Sequence, residues 1–136
     1  MVKKIILDCD PGHDDAIAML LAHGNPDIEL LAVTTVVGNQ MLEKVTRNAL
    51  AVARVINLTG VPFAAGATRS PARQIEVAAE THRESGLDGS ALPEAANTLE
   101  SVPALDLIID LILSPPPKTI SLVPTGGLLH HTIALG

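Results

Sequence analysis

The sequence has almost no aromatic residues: one of its 136 residues is Phe, and Tyr and Trp are absent. The core must therefore be packed by Leu, Ile, Val and Ala. Flat ligands often stack on aromatic rings, and only Phe63 and the histidines offer such a surface. If the ligand is flat, part of its recognition must come from groups of another kind.

Cysteine, basic residues and long apolar segments are also scarce. A single Cys9 excludes an intrachain disulfide, which fits a reducing compartment. Nine Lys and Arg are scattered among fifteen Asp and Glu, and the resulting net charge of −6 predicts no nucleic-acid partner. No uncharged apolar run reaches about 18 residues and no basic leader precedes an apolar segment. We therefore expect a cytoplasmic protein with no membrane partner.

Segments typical of strands and of helices alternate along the chain. We predict strands at 3–9, 28–36, 61–65 and 119–124, and helices at 14–23, 41–57 and 103–114. This alternation predicts a single α/β domain over residues 1–136, with an open, mostly parallel sheet and helices on both faces. Gly60 is expected to end the second helix. Residues 66–101 are predicted to form a long loop, and residues 128–136 to begin another helix.

The most informative feature is a group of four aspartates around Pro11-Gly12, namely Asp8, Asp10, Asp14 and Asp15. A strand leads into the group and a helix leads out of it. Two unit charges about 4 Å apart repel by about 4 kcal/mol at an effective dielectric constant of about 20. The cluster therefore predicts a site for Ca²⁺ or Mg²⁺. The alternative is a solvated acidic turn with a helix cap, which four aspartates at this spacing disfavour.

Further polar residues follow other predicted strand ends, where ligands bind in parallel sheets. Asn39 follows the second strand and Thr125 follows the fourth. Asn39 alone is also typical of a turn or a helix cap. His82, in the long predicted loop, is also compatible with an ordinary solvated histidine.

The run Asp-Cys-Asp-Pro-Gly-His-Asp-Asp-Ala resembles the N-terminal fingerprint of the inosine-uridine nucleoside hydrolases. Four further segments follow in the order of that family: Val-Val-Gly-Asn at 36–39, Arg-Asn-Ala-Leu at 47–50, the His82 loop ending in Gly-Leu-Asp-Gly, and Leu-Val-Pro-Thr-Gly at 122–126. The resemblance covers nearly all of this chain and about the first half of a family member. It implies a truncated fold of the nucleoside hydrolase type.

The resemblance also implies a reaction, the hydrolysis of the N-glycosidic bond of a ribonucleoside to free base and ribose by a water bound to Ca²⁺. Asp10 resembles a metal ligand that also acts as general base, and Asp15 resembles a second ligand. Thr125 resembles the residue that offers a backbone carbonyl to the metal. Asp8 resembles a structural residue that orients the turn.

Three residues are implied on the substrate side. Asp14 resembles the residue that accepts hydrogen bonds from the ribose hydroxyls. Asn39 resembles the asparagine close to the ribose and the attacking water. His82 resembles a histidine near the base, and it is the one candidate for the acid that protonates the leaving group.

The chain departs from the family pattern in several places. A further aspartate ligand and additional ribose contacts come from the C-terminal half of the family and have no match here. Arg83 replaces a frequent glycine, and the segment after Gly126 differs. Two alternatives therefore stay open: an inactive homologue that binds metal or partners, and a magnesium-dependent phosphatase of the haloacid dehalogenase type. The exposed edge of a truncated sheet predicts a homo-oligomer.

Overall fold

The computed structural model describes residues 2–36, 42–66, 99–100, 102–114, 116 and 119–126. Within these ranges strands and helices alternate in the order β1 (Lys3–Cys9), α1 (His13–Gly24), β2 (Ile28–Thr35), α2 (Leu42–Val55), β3 (Phe63–Ala65), α3 (Ala104–Leu113) and β4 (Ile120–Pro124). Each agrees with its predicted range to within two residues. The predicted helix at 128–136 and most of the predicted loop at 66–101 lie outside the described residues. No described helix is both long and apolar enough to cross a membrane.

The four strands form one parallel sheet in the order β3-β2-β1-β4. From β1 the chain runs to one side through β2 and β3, and it returns to the other side of β1 as β4. Open α/β sheets bind ligands beyond the carboxyl ends of the strands, at the point where the strand order reverses. That point is the β1–β4 pair, and the aspartates follow β1.

Helices cover both faces of the sheet, as the sequence predicts. On one face α1 and α2 bury a cluster that includes Leu7, Val33 and Phe63. On the other face α3 packs through Ile108 against Ile6 and other apolar side chains. Because Phe63 is 2% exposed, its ring belongs to the core and offers no open surface on which a flat ligand could stack.

The end of α2 differs from the prediction. Asn57, rather than Gly60, closes the helix: it has a positive φ of 56°, and the Leu58 N–H donates to the Ala53 carbonyl at 2.8 Å. This is the Schellman arrangement, in which asparagine can replace glycine. Leu58 then packs into the core. The prediction was wrong because asparagine also tolerates the left-handed conformation.

Candidate active site at the carboxyl ends of β1 and β4

Asp8 occupies the last part of β1 and is completely buried. Its Oδ1 accepts a 2.7 Å hydrogen bond from Thr34 Oγ1, on the neighbouring strand β2. Its backbone carbonyl accepts from the N–H of Thr125 at 2.9 Å, just beyond β4. A buried carboxylate needs such donors because removing it from water is costly. Asp8 therefore joins β1 to both neighbouring strand ends.

Asp10 and Asp15 lie together because the chain turns sharply at Pro11-Gly12. Helix α1 begins from Gly12, whose carbonyl accepts from the Ala16 N–H at 3.1 Å. This start places Asp15 on the first helical turn, where its Oδ2 accepts a 2.9 Å hydrogen bond from the Asp10 backbone N–H. Asp10 is 7% exposed and Asp15 is 5% exposed. The structure thus brings two buried carboxylates to the end of β1.

The backbone that follows β4 lies directly against Asp10. A β-carbon built on Gly126 would stand 2.9 Å from Asp10 Oδ1 and 2.9 Å from Val36 Cγ1. Thr125 is exposed, and its Oγ1 lies 3.5 Å from the Asp8 carbonyl oxygen. The segment that carries Thr125 is therefore beside the Asp10 carboxylate, as expected for neighbouring parallel strand ends.

Three other residues were predicted for the site, and the structure does not place all of them at the end of β1. Asp14 is exposed on the first turn of α1. Asn39 and His82 lie outside the described residues. Within the described part of the chain, no group of three or more His, Cys, Asp and Glu side chains could hold a metal ion. The set implied by the resemblance is smaller, with two carboxylates and one carbonyl.

Negative charge dominates the electrostatics at this strand end. Cys9 is buried between Asp8 and Asp10 in the sequence, and its pKa is raised well above its ordinary value. The largest cause is burial, and the charges of Asp15, Asp8 and Asp10 add to it. Both effects disfavour a thiolate. The negative charges of these three aspartates also favour a bound cation.

The donor chemistry fits a hard cation. Asp10 and Asp15 both offer carboxylate oxygens at the end of β1, where Asp15 Oδ2 accepts a hydrogen bond from the Asp10 backbone N–H, and the peptide backbone at residues 125–126 lies beside the Asp10 carboxylate. Calcium and magnesium prefer such oxygen ligands over nitrogen or sulfur. Asp10, Asp15 and the Thr125 carbonyl are therefore the groups that could hold such an ion.

Helix α2 adds two buried polar contacts that the sequence reasoning missed. Thr46 Oγ1 lies 2.7 Å from Thr35 Oγ1 at the end of β2. Asn48 Nδ2 donates to the Pro11 carbonyl at 3.3 Å. The available signal was the presence of polar residues on a helix face that also carries buried Val45, Ala49 and Val52. Their partners, 11 and 37 residues away in sequence, became clear only from the fold.

Comparison with known proteins identifies the family that this chain matches. Residues 5–132 match the family model described as inosine-uridine preferring nucleoside hydrolase. The chain is similar to the inosine-uridine preferring nucleoside hydrolases of Crithidia fasciculata, with 59% identity over 98% of this chain, and of Leishmania major, with 57% identity over 99%. It covers 43% of the length of each. The match disfavours the haloacid dehalogenase alternative.

The solved structures agree with the sequence matches. A purine-preferring ribonucleoside hydrolase from Gardnerella vaginalis superposes with a TM-score of 0.90 and 33% identity. The superposition covers 98% of this chain and 43% of that one. The fold class and the family suggested by the sequence motifs are thereby confirmed. The chain belongs to the inosine-uridine preferring nucleoside hydrolase family.

Proposed function

We propose that this chain takes part in the hydrolysis of the N-glycosidic bond of ribonucleosides to free base and ribose. The observation that carries the proposal is the buried Asp10–Asp15 pair, with the backbone of Gly126 against Asp10, at the β1–β4 strand ends. Family membership supports the same reaction. The chain spans 43% of the length of the relatives, and the resemblance implies further metal and ribose contacts from the remaining part of such a protein.

Asp10, Asp15 and the Thr125 carbonyl are proposed to hold a calcium ion. When bound, the ion supplies positive charge that lowers the pKa of an adjacent water. Asp10 accepts the proton of the attacking water as general base, a role worth about 10²–10⁴-fold in rate. Negative charge near the sugar also stabilises the positive charge that develops as the glycosidic bond breaks.

The substrate roles rest on the resemblance. Asp14 is proposed to accept hydrogen bonds from the ribose hydroxyls, and its exposed position on the first turn of α1 is compatible with contact to a ligand. Asn39 is proposed to lie close to the ribose and the attacking water. His82 is proposed to protonate the departing base. Loss of base release in a His82→Ala variant, with calcium affinity retained, would support that assignment.

Ribose release from inosine and from uridine, with calcium or with a chelator, tests the proposal. We expect calcium-dependent release that falls by about 10²–10⁴-fold in the Asp10→Asn variant. Asp27→Asn is a matched control because Asp27 is an exposed aspartate outside the site, and its activity should equal that of the unsubstituted chain. Equal turnover in Asp10→Asn would remove Asp10 from the base role. Calcium binding without ribose release would favour the inactive-homologue alternative.

Self-association and a cytoplasmic location complete the proposal. Three exposed apolar side chains on α1, Ile17, Leu20 and Leu21, support self-association because they offer a surface that a partner could cover. Sedimentation velocity over a range of protein concentrations tests it. A single monomeric species at every concentration would contradict a homo-oligomer.

A further inference from the structure

Asn48 is an unusual residue for its position in helix α2. It is 8% exposed and lies among buried apolar side chains. Asparagine is a poor helix former in a helix interior, and its amide is costly to bury without hydrogen bonds. A buried polar side chain in such a place is normally held by specific partners. The Arg-Asn-Ala-Leu motif at 47–50 therefore carries a residue whose contacts need a functional or structural explanation.

The hydrogen bond of the Asn48 amide leads to the turn between the two buried aspartates, Asp10 and Asp15. Asn48 Nδ2 donates to the carbonyl of Pro11, which directly follows Asp10 and precedes the start of α1. One residue earlier, the Asp10 N–H donates to Asp15 Oδ2. Two neighbouring backbone groups of the turn, the N–H of Asp10 and the carbonyl of Pro11, are thus each held by a side chain. One side chain comes from α1 and the other from α2.

We propose that Asn48 is a positioning residue that sets the orientation of the Asp10–Asp15 pair through the Pro11 carbonyl. The proposal rests on the proposed function only in that the pair binds calcium. Its physical basis is that residues behind the ligands fix ligand orientation, and their loss typically lowers metal affinity about 10–100-fold. Asn48 does this from a separate helix, so it holds the turn relative to the body of the domain.

A purely structural role for Asn48 predicts a different result, and helix α2 supplies a matched control. Thr46 is on the same helix and is similarly buried, but its 2.7 Å hydroxyl contact is to Thr35 on β2 and not to the turn. Thr46→Val removes that contact with little change in shape. Asn48→Leu removes the amide and keeps four side-chain heavy atoms branched at Cγ, although the leucine side chain is the bulkier one. If both residues only stabilise α2, the two variants should behave alike.

The first experiment needs no metal. Hydrogen exchange at the Asp10 backbone amide is followed by NMR in the presence of a chelator. We expect exchange at least about tenfold faster in Asn48→Leu, because the turn that carries this N–H has lost an anchor, and little change in Thr46→Val. Equal exchange in Asn48→Leu and the unsubstituted chain would overturn the positioning role, as would equal acceleration in both variants.

The second experiment is titration calorimetry with calcium alone. We expect about tenfold weaker binding in Asn48→Leu and binding within about twofold of the unsubstituted chain in Thr46→Val. If Asn48→Leu fails to fold, the smaller change Asn48→Ala is measured in both experiments. Equal calcium affinity in a folded Asn48 variant would overturn the positioning role alone. No calcium binding by the unsubstituted chain would overturn the calcium proposal, and the exchange result would then decide whether Asn48 orders the turn.

Discussion

Gly126 lies so close to Asp10 that a β-carbon built on it would stand 2.9 Å from Asp10 Oδ1. The same β-carbon would stand 2.9 Å from Val36 Cγ1, so it meets atoms on two sides. Both distances are shorter than an ordinary van der Waals contact. The residue after Thr125 therefore has to lack a side chain for the backbone to approach the carboxylate.

Gly126→Ala is expected to displace the Asp10 carboxylate and weaken calcium binding by about tenfold. Asp10 Oδ1 can move more easily than the backbone, and its movement removes a ligand from its place. Calorimetry with calcium measures the effect. Gly24→Ala is the control because a β-carbon on Gly24 meets nothing within 4 Å. Unchanged affinity in Gly126→Ala would show that the backbone at residues 125–126 yields instead.

The hydrogen bond from the Asp10 N–H to Asp15 predicts different effects on stability for two substitutions of Asp15. Asp15→Ala leaves the buried Asp10 N–H without its acceptor, which should lower the free energy of unfolding by about 1–3 kcal/mol. Asp15→Asn keeps an acceptor oxygen and removes one charge from the cluster, so its stability without calcium should equal or exceed that of the unsubstituted chain. Urea unfolding in a chelator measures both.

Calcium should separate Asp15→Asn from the unsubstituted chain. A ligand at about 100 times its Kd stabilises a protein by about 2.7 kcal/mol. We expect this gain in the unsubstituted chain and a much smaller one in Asp15→Asn, which lacks a charged ligand. Equal gains in the two proteins would remove Asp15 from the ligand set.

Removing the donor to Asp8 is expected to destabilise the fold. Thr34→Val eliminates the 2.7 Å hydrogen bond to the buried Asp8 Oδ1, and a hydrogen bond to a charged group contributes about 1.5–3 kcal/mol. Urea unfolding should show a loss of that size. Thr119→Val is the control, since the Thr119 hydroxyl donates to Pro116 at an exposed position. A similar loss in both variants would contradict the special role of the buried contact.

The raised pKa of Cys9 predicts a loss of stability at alkaline pH. The unfolded chain releases the thiol proton near pH 9.0, the ordinary value, whereas the folded chain retains it to higher pH. The protonated Cys9 thiol therefore makes its full contribution to the free energy of unfolding below about pH 9. That contribution declines as the pH rises toward the pKa of the thiol in the folded chain. For one thiol, the free energy of unfolding falls by at most about 1.4 kcal/mol per pH unit.

Urea unfolding at pH 8, 9 and 10 checks this prediction against a Cys9→Ala variant. Lysine titration is common to both proteins, and the chain has no Tyr, so the difference in slope reports the thiol. We expect the free energy of unfolding to fall more steeply with pH in the unsubstituted chain than in Cys9→Ala. Parallel curves for the two proteins would show that Cys9 does not contribute.

Most of the fold could be predicted from local patterns. Alternating apolar segments and turn residues placed every described strand and helix to within two residues. The end of α2 was less predictable, because Gly60 and Asn57 both tolerate a positive φ and only the chain path selects between them. The aspartate group at the end of β1 was recognisable because strand, turn and helix follow each other within a few residues.

The sequence by itself determined that a strand end and a first helical turn carry a dense group of carboxylates in an α/β fold. This much is local, since it depends on neighbours in the chain. Only the tertiary structure decided that Asp8 contacts Thr34, that Gly126 lies against Asp10, and that Asn48 holds the Pro11 carbonyl. Those contacts join residues 26 to 116 positions apart, and they depend on the order of strands in the sheet, which local patterns do not encode.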